Sequence, residues 1–132
     1  MFKGSGGSAK DDSSKAIGDS AESSALAWLQ ARGLKLLERN YRVARGPRSP
    51  GGEIDLILRE RDGTLVFVEV RARRSSDFGG AAASVGAVKQ QRIVFAARHY
   101  LLHFGAPPPC RFDVVTVENG QIEWLQAAFD ES

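Results

Sequence analysis

Two short apolar runs, residues 52–57 (Gly-Glu-Ile-Asp-Leu-Ile) and 66–71 (Val-Phe-Val-Glu-Val-Arg), each carry carboxylates among side chains that otherwise belong in a core. Their β-branched and aromatic content favours strands, and Glu60-Arg61-Asp62-Gly63 between them offers glycine for a left-handed turn position. The segment therefore reads as a hairpin. A three-residue loop at Arg61-Asp62-Gly63, with the glycine in the bulge, fixes its register. Leu58 then faces Val66, Leu56 faces Val68 and Ile54 faces Val70, which leaves one face wholly apolar and fit for a core. On the other face the same register sets Ile57 against Phe67, Asp55 against Glu69 and Glu53 against Arg71.

Like charges directly opposite one another destabilise a strand pair. A divalent cation between Asp55 and Glu69 removes that repulsion, and Mg²⁺ is typically held by one or two carboxylates while it keeps waters and phosphate oxygens as its other ligands. The pair thus reads as a Mg²⁺ (or Mn²⁺) site. The alternative is that both acids point into solvent at a strand end, with Glu53 and Arg71 forming an ordinary surface ion pair. Spacing alone leaves both open.

Asp55 on one strand, followed by Glu69-Val70-Arg71 on the next, resembles the PD-(D/E)XK nuclease signature. Together with Gly52-Glu53-Ile54-Asp55-Leu56, Phe67-Val68-Glu69-Val70-Arg71, Lys89-Gln90 and Arg111-Phe112-Asp113-Val114-Val115, it resembles the YraN-like family of small bacterial proteins over residues 18–124 or so. The resemblance implies an α/β fold with a restriction-endonuclease-like αβββαβ core, a mixed central sheet flanked by helices, related to Holliday-junction resolvases. It also implies a metal-dependent endonuclease acting on branched DNA or other structured nucleic acid, with Asp55, Glu69 and Arg71 as catalytic residues. In the usual signature the last position is Lys, near the attacking water. Arg71 stays protonated and cannot act as a base, but its guanidinium can hold a phosphate bidentately and support developing charge. Similar nucleases bring a Glu from the first helix to the metal, which makes Glu22 a candidate third acid beside Asp55 and Glu69. Asp19-Ser20-Ala21-Glu22 also has capping-box spacing, so a helix-start role stands as the alternative.

Net charge is only +2, but its distribution is uneven. Residues 35–98 hold thirteen Lys or Arg against seven Asp or Glu, whereas the stretch from Asn119 onward has three acids and no base. Arg42, Arg45 and Arg48 lie in a Gly/Pro-rich connection leading straight to Glu53, suited either to tracking a phosphate backbone or simply to solvation. Arg73, Lys89 and Gln90 complete the expected nucleic-acid contacts, with DNA as the favoured partner; a homodimer is a further expectation. A non-catalytic module that binds nucleic acid and recruits a partner is the second reading, and a pure protein-interaction module the third.

Residues 1–15 form a Gly/Ser/Asp/Lys tract expected to be a disordered tail, leaving residues 16–132 as one domain. The tract lacks the apolar core of a signal peptide and no stretch approaches a membrane span, so a cytoplasmic protein is expected. The single cysteine, Cys110, fits a reducing compartment. Helical spacing of Ile17, Ala21, Ala25, Trp28 and Leu29 predicts a helix over 16–32, stopped by Gly33. A strand over 36–44 follows. After a small-residue loop, a second helix is expected to open at Ser84 or Gly86 and end before Gly105 and the triple proline, with strands over 111–117 and 121–125 to close the chain. His99 and His103 have no third ligand in reach of a zinc pattern, and Gly79-Gly80 lacks the Lys-Ser/Thr of a phosphate loop.

Overall fold

In a computed structural model, which describes residues 9–73 and 85–131, the chain runs α1 (Ala9–Ala31), β1 (Lys35–Val43), β2 (Gly52–Arg59), β3 (Leu65–Ala72), α2 (Ala87–Leu101), β4 (Cys110–Glu118) and β5 (Gln121–Phe129). The five strands form one sheet in the order β1-β2-β3-β4-β5. All neighbours are antiparallel except β3 and β4, which run parallel. A parallel pair needs a crossover, and α2 supplies it. The result is the α/β nuclease-like arrangement that the sequence led us to expect, a mixed sheet between two helices with β5 as the extra strand.

The β2/β3 hairpin takes the expected register, with Leu56 opposite Val68, Ile57 opposite Phe67 and Leu58 opposite Val66. Its turn is closed by two backbone bonds, Glu60 N–H to the Thr64 carbonyl and Gly63 N–H to the Glu60 carbonyl, each 2.9 Å. Gly63 sits at φ 94°, the left-handed region that glycine enters without steric cost.

Both faces of this hairpin are covered. Leu56, Leu58, Val66 and Val68 pack with Val115 beneath Ala25 and Leu29 of α1. Ile57 and Phe67 pack on the opposite side with Ile93, Ala96 and Ala97 of α2. The expectation that one face would be left for chemistry is therefore corrected: Ile57 and Phe67 are core, and the acids occupy only the end of the hairpin. Ile54 is corrected as well, since it joins the α2 cluster rather than the Leu56 face. Strand alternation breaks between Ile54 and Leu56, which is the position of Asp55.

Gly52 explains how α2 comes so near. A Cβ there would collide with the Arg92 carbonyl oxygen and lie 2.8 Å from the Ala96 nitrogen, so the helix backbone rests directly on the start of β2. The Arg92 guanidinium Nε donates to the Gly51 carbonyl at 3.3 Å and ties the two together.

Two boundaries differ from those expected from the sequence. Helix α1 already begins at Ala9, so residues 9–15 are helical, while residues 1–8 of the expected tail lie outside the described residues. Asp19 to Glu22 consequently fall inside a continuous helix, and Glu22 cannot belong to a capping box because the backbone N–H groups there already have helical partners. Strand β5 continues to Phe129, past the expected end at 125. Most of the small-residue loop, residues 74–84, lies outside the described residues. Among the described residues no helix is long and apolar enough to cross a membrane.

Candidate metal and phosphate site

The hairpin ladder stops at Leu56 and Val68 on the side of the acids. Beyond it, the Asp55 carboxylate takes the place of a backbone partner, with Oδ2 accepting the Val70 N–H at 2.8 Å. On the other side of β2, pairs Arg39/Leu56 and Tyr41/Ile54 flank Asn40, which has a φ of 56°. Asparagine tolerates that left-handed conformation better than most residues, and it bends β1 at the level of Asp55. Strand irregularity on both sides thus leaves the Asp55 carboxylate in the opened gap between β2 and β3.

Glu69 meets it there. The two carboxyl groups are close enough to hydrogen-bond to each other, and Glu69 is only 5% exposed. Burial, then the charge of Glu69, pushes Asp55 up to about 7, although the Val70 N–H and Lys89 pull the other way. Burial also raises Glu69, against the opposing pull of Lys89, the Asp55 hydrogen bond and Arg71. The two acids thus titrate as a coupled pair, each with its proton affinity raised by burial. Two cations close the ring: Lys89 Nζ lies 3.6 Å from Glu69 Oε2, and Arg71 Nη1 lies 4.0 Å from the same oxygen. Asp55, Glu69, Arg71 and Lys89 are therefore brought together from β2, β3 and the first turn of α2.

Glu22 approaches without joining them. Burial and the Asp55 charge raise its affinity for a proton, whereas Arg39 and Asn40 lower it through hydrogen bonds. Arg39 is spread over α1, with Nε 3.5 Å from Glu22 Oε1 and Nη2 donating to the Ser23 hydroxyl at 3.1 Å and the Asp19 carbonyl at 3.3 Å. Among the described residues no group of three His, Cys, Asp or Glu side chains is assembled for a metal ion. Arg39 and Asn40 escaped the sequence reading. The signal was an asparagine inside a strand, where it is disfavoured.

The expected phosphate contacts divide. Glu53 pairs with Arg42 across β1 and β2, Nε to Oε2 at 3.4 Å, so the cross-strand partner read for Glu53 as Arg71 is corrected to Arg42. Arg45 lies over the Phe95 ring, 4.6 Å from its centroid, and Arg48 is exposed. The Gln90 side chain donates to the Val85 carbonyl at 2.9 Å, bracing the entry to α2. Arg73 continues the edge of β3, its N–H donating to the Val117 carbonyl at 2.9 Å.

A further buried acid is structural. Asp113 in β4 is fully buried and accepts from Arg111 Nε at 3.0 and 3.1 Å, from Trp124 Nε1 at 2.8 Å and from the Ala127 N–H at 2.9 Å. These bonds span the register shift between β4 and β5, where Ala127 is held at φ 53°. Arg111 in turn reaches Glu60 in the hairpin turn, Nη2 to Oε2 at 2.6 Å, by charge rather than by an aligned hydrogen bond.

The segments that build this site also carry the likeness to known sequences. The uncharacterised protein family UPF0102 matches residues 21–117, from the first buried turn of α1 almost to the end of β4. A UPF0102 protein of Methylibium petroleiphilum is 69% identical over 118 residues, covering 89% of this chain and 97% of its own length. One of Paracidovorax citrulli is 63% identical over 127 residues, 96% of this chain and 92% of its own. At 54% identity, a UPF0102 protein of Cupriavidus taiwanensis still covers 93% of this chain and 89% of itself. With the match running through both acid-bearing strands and the helix that packs on them, the chain belongs to the UPF0102 (YraN-like) family.

Proposed function

We propose that the protein is a metal-dependent endonuclease of structured nucleic acid, with branched DNA as its favoured substrate. The observation that carries this reading is the pair of half-buried Asp55 and buried Glu69 at the opened end of the hairpin, with two cationic side chains beside it. Two adjacent hard oxygen donors fit Mg²⁺ or Mn²⁺, which need no third protein ligand when water and substrate phosphate complete the shell. Asp55 and Glu69 would hold the ion. Such an ion supplies a nucleophile at neutral pH and stabilises charge on the phosphate. Val70 fixes the Asp55 carboxylate through its N–H, and Arg71, permanently charged, holds a phosphate oxygen as negative charge grows. Glu22, locked by Arg39, tunes Asp55 through space rather than binding metal itself.

The test is cleavage of branched and linear DNA with Mg²⁺ or Mn²⁺, comparing wild type with Asp55→Ala. Loss of a metal ligand should lower cleavage by about 100-fold or more. Neutralising Arg42, Arg45 and Arg48 together should act on affinity instead, weakening binding across sequences and flattening its salt dependence by about one in slope for each phosphate that is no longer neutralised. Should wild type bind branched DNA with a steep salt slope yet leave it uncut with either metal, the protein is a binding module. The absence of both binding and cleavage would remove nucleic acid from the reading altogether.

A further inference from the structure

Lys89 stands where helix electrostatics oppose it. The N-terminus of a helix carries partial positive charge and favours acids, so a cation in the first turn is disfavoured. Helix α2 has no acid in its first turn, and its cap residue Gly86 offers no side-chain cap, yet Lys89 lies in that turn. What offsets the cost is on β3: Glu69 Oε2, 3.6 Å from the ammonium. Lys89 also acts on Asp55, lowering its proton affinity. Its side chain is 39% exposed against 6% for that of Glu69, so the flexible stem has room to move while the carboxylate does not.

We propose that Lys89 is an internal counter-ion that a divalent metal displaces, and that the released ammonium then takes a phosphate oxygen of the bound nucleic acid. The proposal rests on the metal-site reading above and adds to it a coupling between metal occupancy and substrate grip. An ammonium and a metal ion compete for the same carboxylate oxygens. Arg71 is less suited to this exchange, because its guanidinium is already the more distant partner at 4.0 Å. In the metal-free protein Lys89 quiets the acid pair; in the loaded protein it is free for an anion, and a phosphate diester is the anion of the proposed substrate.

Two readouts that need no cleavage test this. The first is calorimetric titration with Mn²⁺ alone for wild type, Lys89→Met, Lys89→Arg and Asp55→Asn, with circular dichroism confirming that each variant is folded. Lys89→Met should bind Mn²⁺ at least about tenfold more tightly than wild type, because a competing charge is gone, and Lys89→Arg should stay near wild type. The second is the salt dependence of binding to a labelled four-way DNA junction, with and without a fixed concentration of Ca²⁺. With Ca²⁺ the wild-type slope should exceed that of Lys89→Met by about one, and without it the two slopes should agree. Equal Mn²⁺ affinity in wild type and Lys89→Met, or a slope difference that persists without the cation, overturns the role of Lys89 alone. If no variant binds Mn²⁺ more tightly than Asp55→Asn does, the metal-site reading itself falls, and the exchange with it.

Discussion

Asp113→Ala is expected to cost roughly 3–5 kcal/mol of folding stability, the scale for breaking a buried ion pair by removing one partner. The loss comes from what remains. Arg111 would keep its charge in a partly buried position, and the Trp124 and Ala127 donors would have no acceptor where β5 departs from regular pairing. Urea unfolding should show a lower midpoint with little change in slope. The double variant Arg111→Met/Asp113→Leu should be appreciably more stable than Asp113→Ala, because replacing both partners by apolar groups leaves no orphaned charge. A single-variant loss below about 1 kcal/mol would be the value of a surface pair and would contradict this account.

Asp55→Asn should do the opposite in the absence of metal and stabilise the protein at pH 8. The sign follows from proton binding. In the unfolded chain Asp55 titrates near its ordinary value of 3.8, and in the fold near 7, so across that interval the native state holds a proton that the unfolded state does not. Stability contributed through this group is therefore present at low pH and is lost as pH rises through about 7. Asparagine carries no charge to bury, so the variant should gain on wild type between pH 5 and pH 8 by on the order of 2 kcal/mol or more, since a tenfold difference in proton affinity between the two states corresponds to about 1.4 kcal/mol. Glu69, also raised by burial, should leave a weaker slope of the same sign in the variant. Urea titrations with a chelator present at the two pH values measure the difference directly. A gap between wild type and variant that does not change with pH would mean that Asp55 ionises normally in the fold.

The hairpin was legible because its information is local. Alternation, a glycine at the turn and loop length together set the register through four residue pairs. Its failure at Ile54 was not legible, because that shift depends on contacts distant in sequence: Gly52 under Arg92 and Ala96, and a bent Asn40 on the neighbouring strand. Similarly, Lys89 is one more polar residue on a helix until the crossover sets α2 beside β3. Asp113 shows the converse. An acid amid Phe112, Val114 and Val115 announces that something unusual is buried, but the donors that satisfy it come from its own strand and the next, and only their arrangement separates a structural acid from a metal ligand. Helix α1 was underread because its first turns are too polar to show an apolar stripe, a pattern that reports burial rather than helix formation.

Because position 52 has no side chain, the spacing between α2 and β2 is set by backbone against backbone. Asp55 lies three residues along the strand from that contact, and Lys89 lies three residues before Arg92 on the helix. The contact is thus a fulcrum close to both members of the charge cluster. A roll of the helix about it would change the gap between ammonium and carboxylates, and because it would also drag Ile93, Ala96 and Ala97 through the packed core, the close contact at this one missing methyl group holds the electrostatic setting of the site in place.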